Sequence, residues 1–515
     1  MDGMKRAAVS EIAEAIAHQT YIIEMEAGSK FIVIDGDPHL FSAFTKQLMT
    51  ISHRDSRFAA HLAMVYGLNA RDELAPKVAS LLESKCLWTG AKMRPRRWTA
   101  FLDGVLYLSR YDGTVFKVAG AGVTEDANKR LVDDGWSNRS TGSIMSFEIE
   151  DNAKTVLFAD DDGGVPPLDP LIGRNGSLFR LLRGIRWASE TVGHLRKCDQ
   201  VRAFMVWMLM VAFPDIFPTK PILMLEGAAG SGKSTLLQMV QMALHGKLLP
   251  VGIEENGIRD FWVSMLRSPI TFLDDVNADY KWLPDEINRY ATGGVRVERK
   301  LYKNNEEVTI APQSFIAVAT MDPRSFRRGD TVDRSLVLRM ERRDYGLSAD
   351  AIRAHIVNNR AAIYGEYLYY LNRVVAALRM EPPRWTTQRL GDFEVFAYAA
   401  ARAVGWNQRF VPDLMAALSR ERSVFAAEVD VVLEVLDDWM NLPSNEGKWV
   451  SARDLFKELN ALAYSSGKPF VKTPQALAQR LRAPHVAAQY YVADSVDRDR
   501  KIYCIVRAAS FAAEN

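Results

Sequence analysis

Eight consecutive residues, Gly227-Ala228-Ala229-Gly230-Ser231-Gly232-Lys233-Ser234, fill every fixed position of the pattern GxxxxGK[ST]. Glycines let successive backbone N–H groups curl around an anion. The lysine supplies a cation for the β- and γ-phosphates of a nucleotide, and the hydroxyl after it can take a place on a magnesium ion. The flanks suit that chemistry. Pro221 to Leu225 reads as a short buried strand. Leu236, Leu237, Val240, Ala243 and Leu244 then make one apolar helix face, which Gly246 stops. A helix that opens at the loop adds its own partial positive charge. Nucleotide contacts are therefore expected from Gly227, Ala228, Ala229, Gly230, Ser231, Gly232, Lys233, Ser234 and Thr235, with ATP and Mg²⁺ as the cofactors.

Such a loop needs an acidic partner on a neighbouring strand. Ile270-Thr271-Phe272-Leu273-Asp274-Asp275 supplies one: a mostly apolar run with two carboxylates at its C-terminal end. Asp274 is expected on the metal with Ser234, and Asp275 is expected to polarise the attacking water. A further strand, Ser314 to Ala319, runs into Thr320-Met321-Asp322-Pro323. Either Thr320 or Asp322 could stand between the acidic groups and hold the water. Arg334 differs from the nearby Arg324, Arg327 and Arg328 because it opens a strand, Ser335 to Leu338, so the sheet would fix its position. A rigid arginine at a subunit edge can stabilise charge on a neighbour's γ-phosphate.

The elements that must position these groups read as α/β. Strands recur at Val295 to Leu301 and Val308 to Ile310, and alternation of strands with helices argues for a largely parallel sheet. The expected division is a mixed α+β domain over 1–162, a linker and helical segment over 163–214, and the nucleotide-binding core over 215–345. A helical region over 346–442 and a small domain over 443–515 follow. In the last, Ser451 and Thr473-Pro474 look like helix starts. Two strand-like runs, Gln489 to Ala493 and Lys501 to Val506, complete a helix, helix, hairpin order that reads as winged-helix-like.

Composition sets outer bounds. In 515 residues, 48% apolar and 25% charged, several cores can form. Lys+Arg is 65 against 63 Asp+Glu, a net charge of +2, so any nucleic acid must be held by a local patch rather than by bulk charge. Three scattered cysteines exclude a disulfide scaffold or zinc finger and fit a reducing, cytoplasmic setting. Ala203 to Phe213 is the most apolar run, and as a helix it would span only about 16 Å, too short for a bilayer. No membrane association is expected.

From Pro221 to Met340 the order and spacing of these motifs resemble superfamily 3 helicases, the AAA+ branch used by small DNA viruses, phages and mobile elements. The carrying residues are the phosphate loop, the doubled Asp274-Asp275, the Asn277 to Gly294 stretch, Val297-Glu298-Arg299-Lys300 as a basic hairpin, Ala319-Thr320-Met321-Asp322, and Asp333-Arg334-Ser335. Asp322 stands where that family usually has Asn. The tail is similar to the C-terminal unit of phage and plasmid primase–helicases. The resemblance implies a P-loop AAA+ core in a homo-oligomeric ring, a hexamer, with ATP between subunits and Arg334 reaching into the neighbour's site. It implies a channel hairpin, Val295 to Ile310, in which Arg299, Lys300 and Lys303 hold phosphates of single-stranded or forked DNA. It also implies a primase or other replication protein as a partner.

Two other classes share the phosphate loop. An AAA+ protein remodeller would need an aromatic, apolar pore loop where this hairpin is basic. A P-loop kinase or switch would need an acceptor lid that is not visible. Asp35-Gly36-Asp37 mimics a two-metal carboxylate pair, but Gly36-Asp37-Pro38 is also a good turn and no third carboxylate accompanies it.

Overall fold

The computed structural model describes residues 2–34, 36–45, 47–69, 73–93, 98–102, 104–109, 114–120, 136–137, 144–149, 154–159, 177–188, 195–214, 216–246, 257–267, 269–274, 282–299, 307–310, 314–321, 329–342, 348–380, 386, 389–466, 470–487, 489–497 and 500–508.

The N-terminal unit comprises α1 (Asp2–Glu26), β1 (Lys30–Ile34), β2 (Asp37–Ser42), β3 (Gln47–Thr50), α2 (Ser56–Tyr66), α3 (Leu74–Thr89) and β4 (Ala91–Met93). The strands form one sheet in the order β3-β2-β1-β4, with β4 parallel to β1. Phe31 and Val33 on β1 pack with Ala13 and Ala17 of α1 and with Val78, Ala79, Leu82 and Cys86 of α3. Ile34 pairs with Asp37, so Gly36, at φ +85°, sits in a tight hairpin turn. Asp35 lies outside the described residues.

Next come β5 (Thr99–Leu102), β6 (Val105–Ser109), β7 (Thr114–Val118), β8 (Trp136–Ser137), β9 (Ile144–Ile149) and β10 (Lys154–Ala159). β5 to β8 form a second sheet in chain order, and β9 pairs with β10. Part of this segment packs into the central core. Trp98, Leu106, Leu108, Phe116 and Val118 belong to the central core, and the Trp98 ring stacks on Tyr367 at 6.2 Å and 12°. The helical segment expected within 163–214 comprises two helices, α4 (Ser177–Arg183) and α5 (Lys197–Met210). Between them Trp187 bridges to Met340.

The central region contains β11 (Ile222–Glu226), α6 (Lys233–His245), α7 (Ile258–Arg267), β12 (Ile270–Leu273), α8 (Leu283–Ala291), β13 (Arg296–Arg299), β14 (Glu307–Ile310), β15 (Phe315–Thr320), α9 (Gly329–Val332) and β16 (Ser335–Arg339). Four strands form a parallel sheet in the order β12-β15-β11-β16. Their apolar residues divide with period two, as a strand buried on both faces requires. Leu223, Leu225, Phe315, Ala317, Ala319, Leu336 and Leu338 enter the core shared with α5 and α6. Ile222, Met224, Leu273, Ile316, Val318 and Val337 enter the core under α7 and α8. Each large side chain so buried contributes about 1.5–3 kcal/mol. The sheet is therefore the rigid base of the site.

Three long helices back the first of these cores: α10 (Ala349–Met380), α11 (Gly391–Val404) and α12 (Phe410–Val429). The tail comprises α13 (Val431–Met440), β17 (Trp449–Ser451), α14 (Ala452–Ser465), α15 (Pro474–Leu481), α16 (Pro484–Ala487), β18 (Tyr490–Asp497) and β19 (Arg500–Arg507). Within the helical region expected over 346–442, α12 and α13 are separated where Asp430 leaves helical geometry and caps α13 by accepting from the Val432 N–H. α13 packs with the tail: Leu433, Leu436 and Trp439 share a core with Leu455, Leu477 and Tyr503. Ser451 and Thr473 cap α14 and α15 as their sequence positions suggest. The strand order there is β17-β19-β18.

His245 ends α6, buried, with its ring edge-on to Trp98 at 4.8 Å. Burial, reinforced by the nearby Arg360, pushes its imidazole down to about 3. The unfolded chain takes up that proton near pH 6.5. Between these values the unfolded state holds the extra proton, so stability falls as pH falls through that window. The denaturation midpoint is expected to drop as pH is lowered from 6.5 towards 4, less steeply in His245→Gln. A variant as acid-sensitive as the parent would contradict this.

Candidate nucleotide site

The loop Gly227–Ser234 leaves the C-terminal end of β11 and turns directly into α6. Gly227 is held by sterics: a Cβ there would lie 2.3 Å from the Met340 carbonyl oxygen. Gly232 precedes α6 at φ +90°, a left-handed conformation that costs any other residue. Ala228, Ala229 and Gly230 are exposed at the loop's crest, while Ser231 and Lys233 are buried. The Lys233 Nζ donates to the carbonyls of Gly227 (2.6 Å) and Ala228 (3.0 Å) and to Ser231 Oγ (3.3 Å). These contacts hold the ammonium inside the loop's curve, where a phosphate oxygen would exchange with the carbonyls.

Asp274 follows the last residue of β12, and its Oδ1 accepts the Ser234 hydroxyl at 2.7 Å. Two hard oxygens this close match neighbouring positions on an octahedral Mg²⁺, which at nucleotide sites takes one or two protein oxygens besides phosphates and water. The donor set thus fits the expected ion. Among the described residues no group of three or more His, Cys, Asp or Glu could hold a metal ion.

Strand order puts Thr320 in a defined place. β15 lies between β12 and β11, and its last residue, Thr320, pairs with Glu226 at the root of the loop. Leu273 pairs with Val318, so Asp274 and Thr320 end adjacent strands at the same edge of the sheet. Thr320 is fully buried. Asp322, the other residue weighed for this position, lies outside the described residues, as do Asp275, Lys300 and Lys303. For Arg299 only the backbone, in β13, is described. That hairpin is antiparallel, and an Arg296–Glu286 ion pair at 3.6 Å ties its base to α8.

Arg334 stands at the other end of the sheet. Its carbonyl accepts the Ile222 N–H at the start of β11, and its Nη1 donates to the Asp330 carbonyl at 2.6 Å. β11 and β16 run parallel, so the length of a five-residue strand, about 16 Å, separates Arg334 from its own phosphate loop.

One group at the loop carries no signal in sequence. Arg339, at the end of β16, is buried between Glu226 (3.3 Å) and Glu421 of α12, and its backbone N–H donates to Gln200 Oε1 at 2.8 Å. This network ties the root of the phosphate loop to α12 and α5. Its members come together only through tertiary packing.

No family model and no curated protein matches the chain. Among solved structures it is similar to the A form apo structure of the NrS-1 C-terminal region, at 9% identity and a TM-score of 0.40, over 95% of this chain and 98% of that one. It is also similar to JCV helicase. In one structure, with a bound thiazolopyridine compound, the identity is 16% and the TM-score 0.23, over 45% of this chain and 66% of that one. In another the identity is 13% and the TM-score 0.20, over 45% and 67%. Among the described residues no helix is long and apolar enough to cross a membrane.

Proposed function

We propose that this chain is an ATP-driven, nucleic-acid-translocating motor that works as a homo-oligomeric ring, a DNA helicase in the replication of a phage, plasmid or other mobile element. The observation that carries the reading is the split site on one sheet: Lys233, Ser234 and Asp274 at one end, Arg334 at the other. A site so divided is complete only when a neighbouring copy brings its Arg334 to this copy's loop.

The chemistry then follows from the chain's own groups. The N–H groups of the loop and the start of α6 bind the phosphates, and Lys233 exchanges its loop carbonyls for the β- and γ-oxygens. Ser234 and Asp274 would hold Mg²⁺, which when bound neutralises charge on those oxygens. Asp275 orients the attacking water, and Thr320, at the adjacent strand end, helps to hold it. The neighbour's Arg334 stabilises the charge that develops on the transferred phosphoryl group. The hairpin of β13 and β14 lines the channel, where Arg299, Lys300 and Lys303 grip a single strand. The order of α13, β17, α14, α15, β18 and β19 supports a winged-helix reading of the tail.

The test is separation of a forked DNA duplex, expected to require hydrolysable ATP and to fail with Lys233→Ala. ATP turnover without strand separation or movement on single strands would move protein remodelling ahead. Replacing Lys300 and Lys303 by Ala is expected to weaken single-strand binding and to lower its salt slope by about 0.7 for each phosphate no longer neutralised. Unchanged affinity and slope would exclude the hairpin as the DNA-binding element.

A further inference from the structure

At the end of the sheet away from the phosphate loop lies a pocket of about 110 Å³, lined among others by Thr219, Lys220, Thr292, Arg334, Arg389 and Phe393. Its charged lining residues are Lys220, Arg334 and Arg389; none is a carboxylate. Two carboxylates near it have partners among the described residues. Asp392 accepts both the backbone N–H (3.0 Å) and the hydroxyl of Thr219, and Asp330 faces Arg334 at 3.9 Å. Lys220 stands 5.9 Å from the Tyr290 ring centroid. Arg389 is exposed and has no ion-pair or hydrogen-bond partner among the described residues. The floor is apolar, with Leu390 and Phe393 buried. Asp330 offsets part of the Arg334 charge and Asp392 lies nearby, so the positive excess beside the low-dielectric wall comes from Lys220 and Arg389.

The Thr219–Asp392 tie fixes this arrangement. It joins the segment entering β11 to the first turn of α11, and so holds Arg389, two residues before that helix, beside Arg334. The pocket cannot serve this chain's own nucleotide, because a strand length intervenes. An anion reaching it must be presented by another molecule.

We infer that Arg389 is a second cation acting between subunits, binding phosphate oxygens of the nucleotide held in the neighbour's loop. The inference rests on the ring reading. Arg334 is rooted in the sheet and meets the transferred group. Arg389 is carried by the helical region and governs how tightly nucleotide is held. A charge-assisted hydrogen bond of this kind changes affinity by roughly ten- to a hundredfold.

The experiment measures affinity for a non-hydrolysable ATP analogue, KM and kcat for ATP, and assembly by light scattering in the full chain. Arg389→Ala is expected to weaken analogue binding and raise KM by at least about tenfold, with the loss falling on KM more than on kcat. Arg389→Lys should recover part of it. Mixing Arg389→Ala with Lys233→Ala subunits should restore a tight-binding fraction, because some interfaces then pair an intact loop with an intact Arg389. Unchanged affinity in Arg389→Ala, alongside loss of turnover in Arg334→Ala, overturns this inference and leaves the ring standing. Full turnover in Arg334→Ala overturns the ring reading and the inference with it. Loss of assembly at saturating nucleotide would make Arg389 a subunit contact instead, and also overturns it.

Discussion

Arg334→Ala is expected to lower ATP turnover on the order of 10³-fold while each subunit still folds and binds ATP. The variant should fold because its contacts within the chain are modest: one hydrogen bond to the Asp330 carbonyl and an ion pair at 3.9 Å. Pairs of that kind contribute about 0–1 kcal/mol. It should bind ATP because the loop lies at the opposite end of the sheet. The loss should therefore be repairable from outside the subunit. In an equal mixture of Arg334→Ala and Lys233→Ala, about one interface in four of a head-to-tail ring pairs an intact loop with an intact finger. Turnover should rise towards that fraction of the parent rate. Mixtures that demonstrably exchange subunits and recover nothing would exclude a site shared between subunits.

Lys233→Ala is expected to abolish turnover at its source, by about 10²–10³-fold or more, the usual consequence of removing one donor to developing negative charge. The structure gives this substitution two effects. It takes the ammonium out of the loop's curve, and it frees the Gly227 and Ala228 carbonyls and the Ser231 hydroxyl that the ammonium now ties together. Nucleotide affinity should fall along with turnover. Asp275→Asn, in contrast, should retain binding and lose hydrolysis, because Ser234 and Asp274, proposed to hold the metal, are untouched. Near-normal turnover in Lys233→Ala would mean that hydrolysis occurs elsewhere. Near-normal turnover in Asp275→Asn would end its assignment to water.

Much of the sheet was legible because a parallel strand buried on both faces is a short, unbroken apolar run. Ile270 to Leu273 matches β12 residue for residue. The turn from β11 into α6 was legible because its geometry is local: the glycines and the lysine lie within eight residues. What escaped depends on packing between distant parts of the chain. Glu226 and Arg339 are 113 residues apart, and Arg339 and Glu421 are 82 apart, so no pattern in sequence links them. Trp98 looked like part of an N-terminal domain because its burial comes from Tyr367 and His245, far along the chain. The place of Thr320 needed strand order, since the Glu226 to Thr320 pairing puts it at the edge shared with Asp274; Asp322 lies outside the described residues. Arg389 was hidden for the same reason. Nothing near it in sequence is special, and its place beside Arg334 depends on the bond between Asp392 and Thr219.

Coupling of ATP hydrolysis to nucleic acid is the property on which the helicase reading stands or falls. It is probed by measuring ATP turnover against increasing single-stranded DNA at fixed, moderate salt. Turnover is expected to rise saturably, to lose that rise when Lys300 and Lys303 are both replaced by Ala, and to respond more weakly as salt is raised. A rate indifferent to DNA at every concentration, in protein that hydrolyses ATP and assembles, would contradict it.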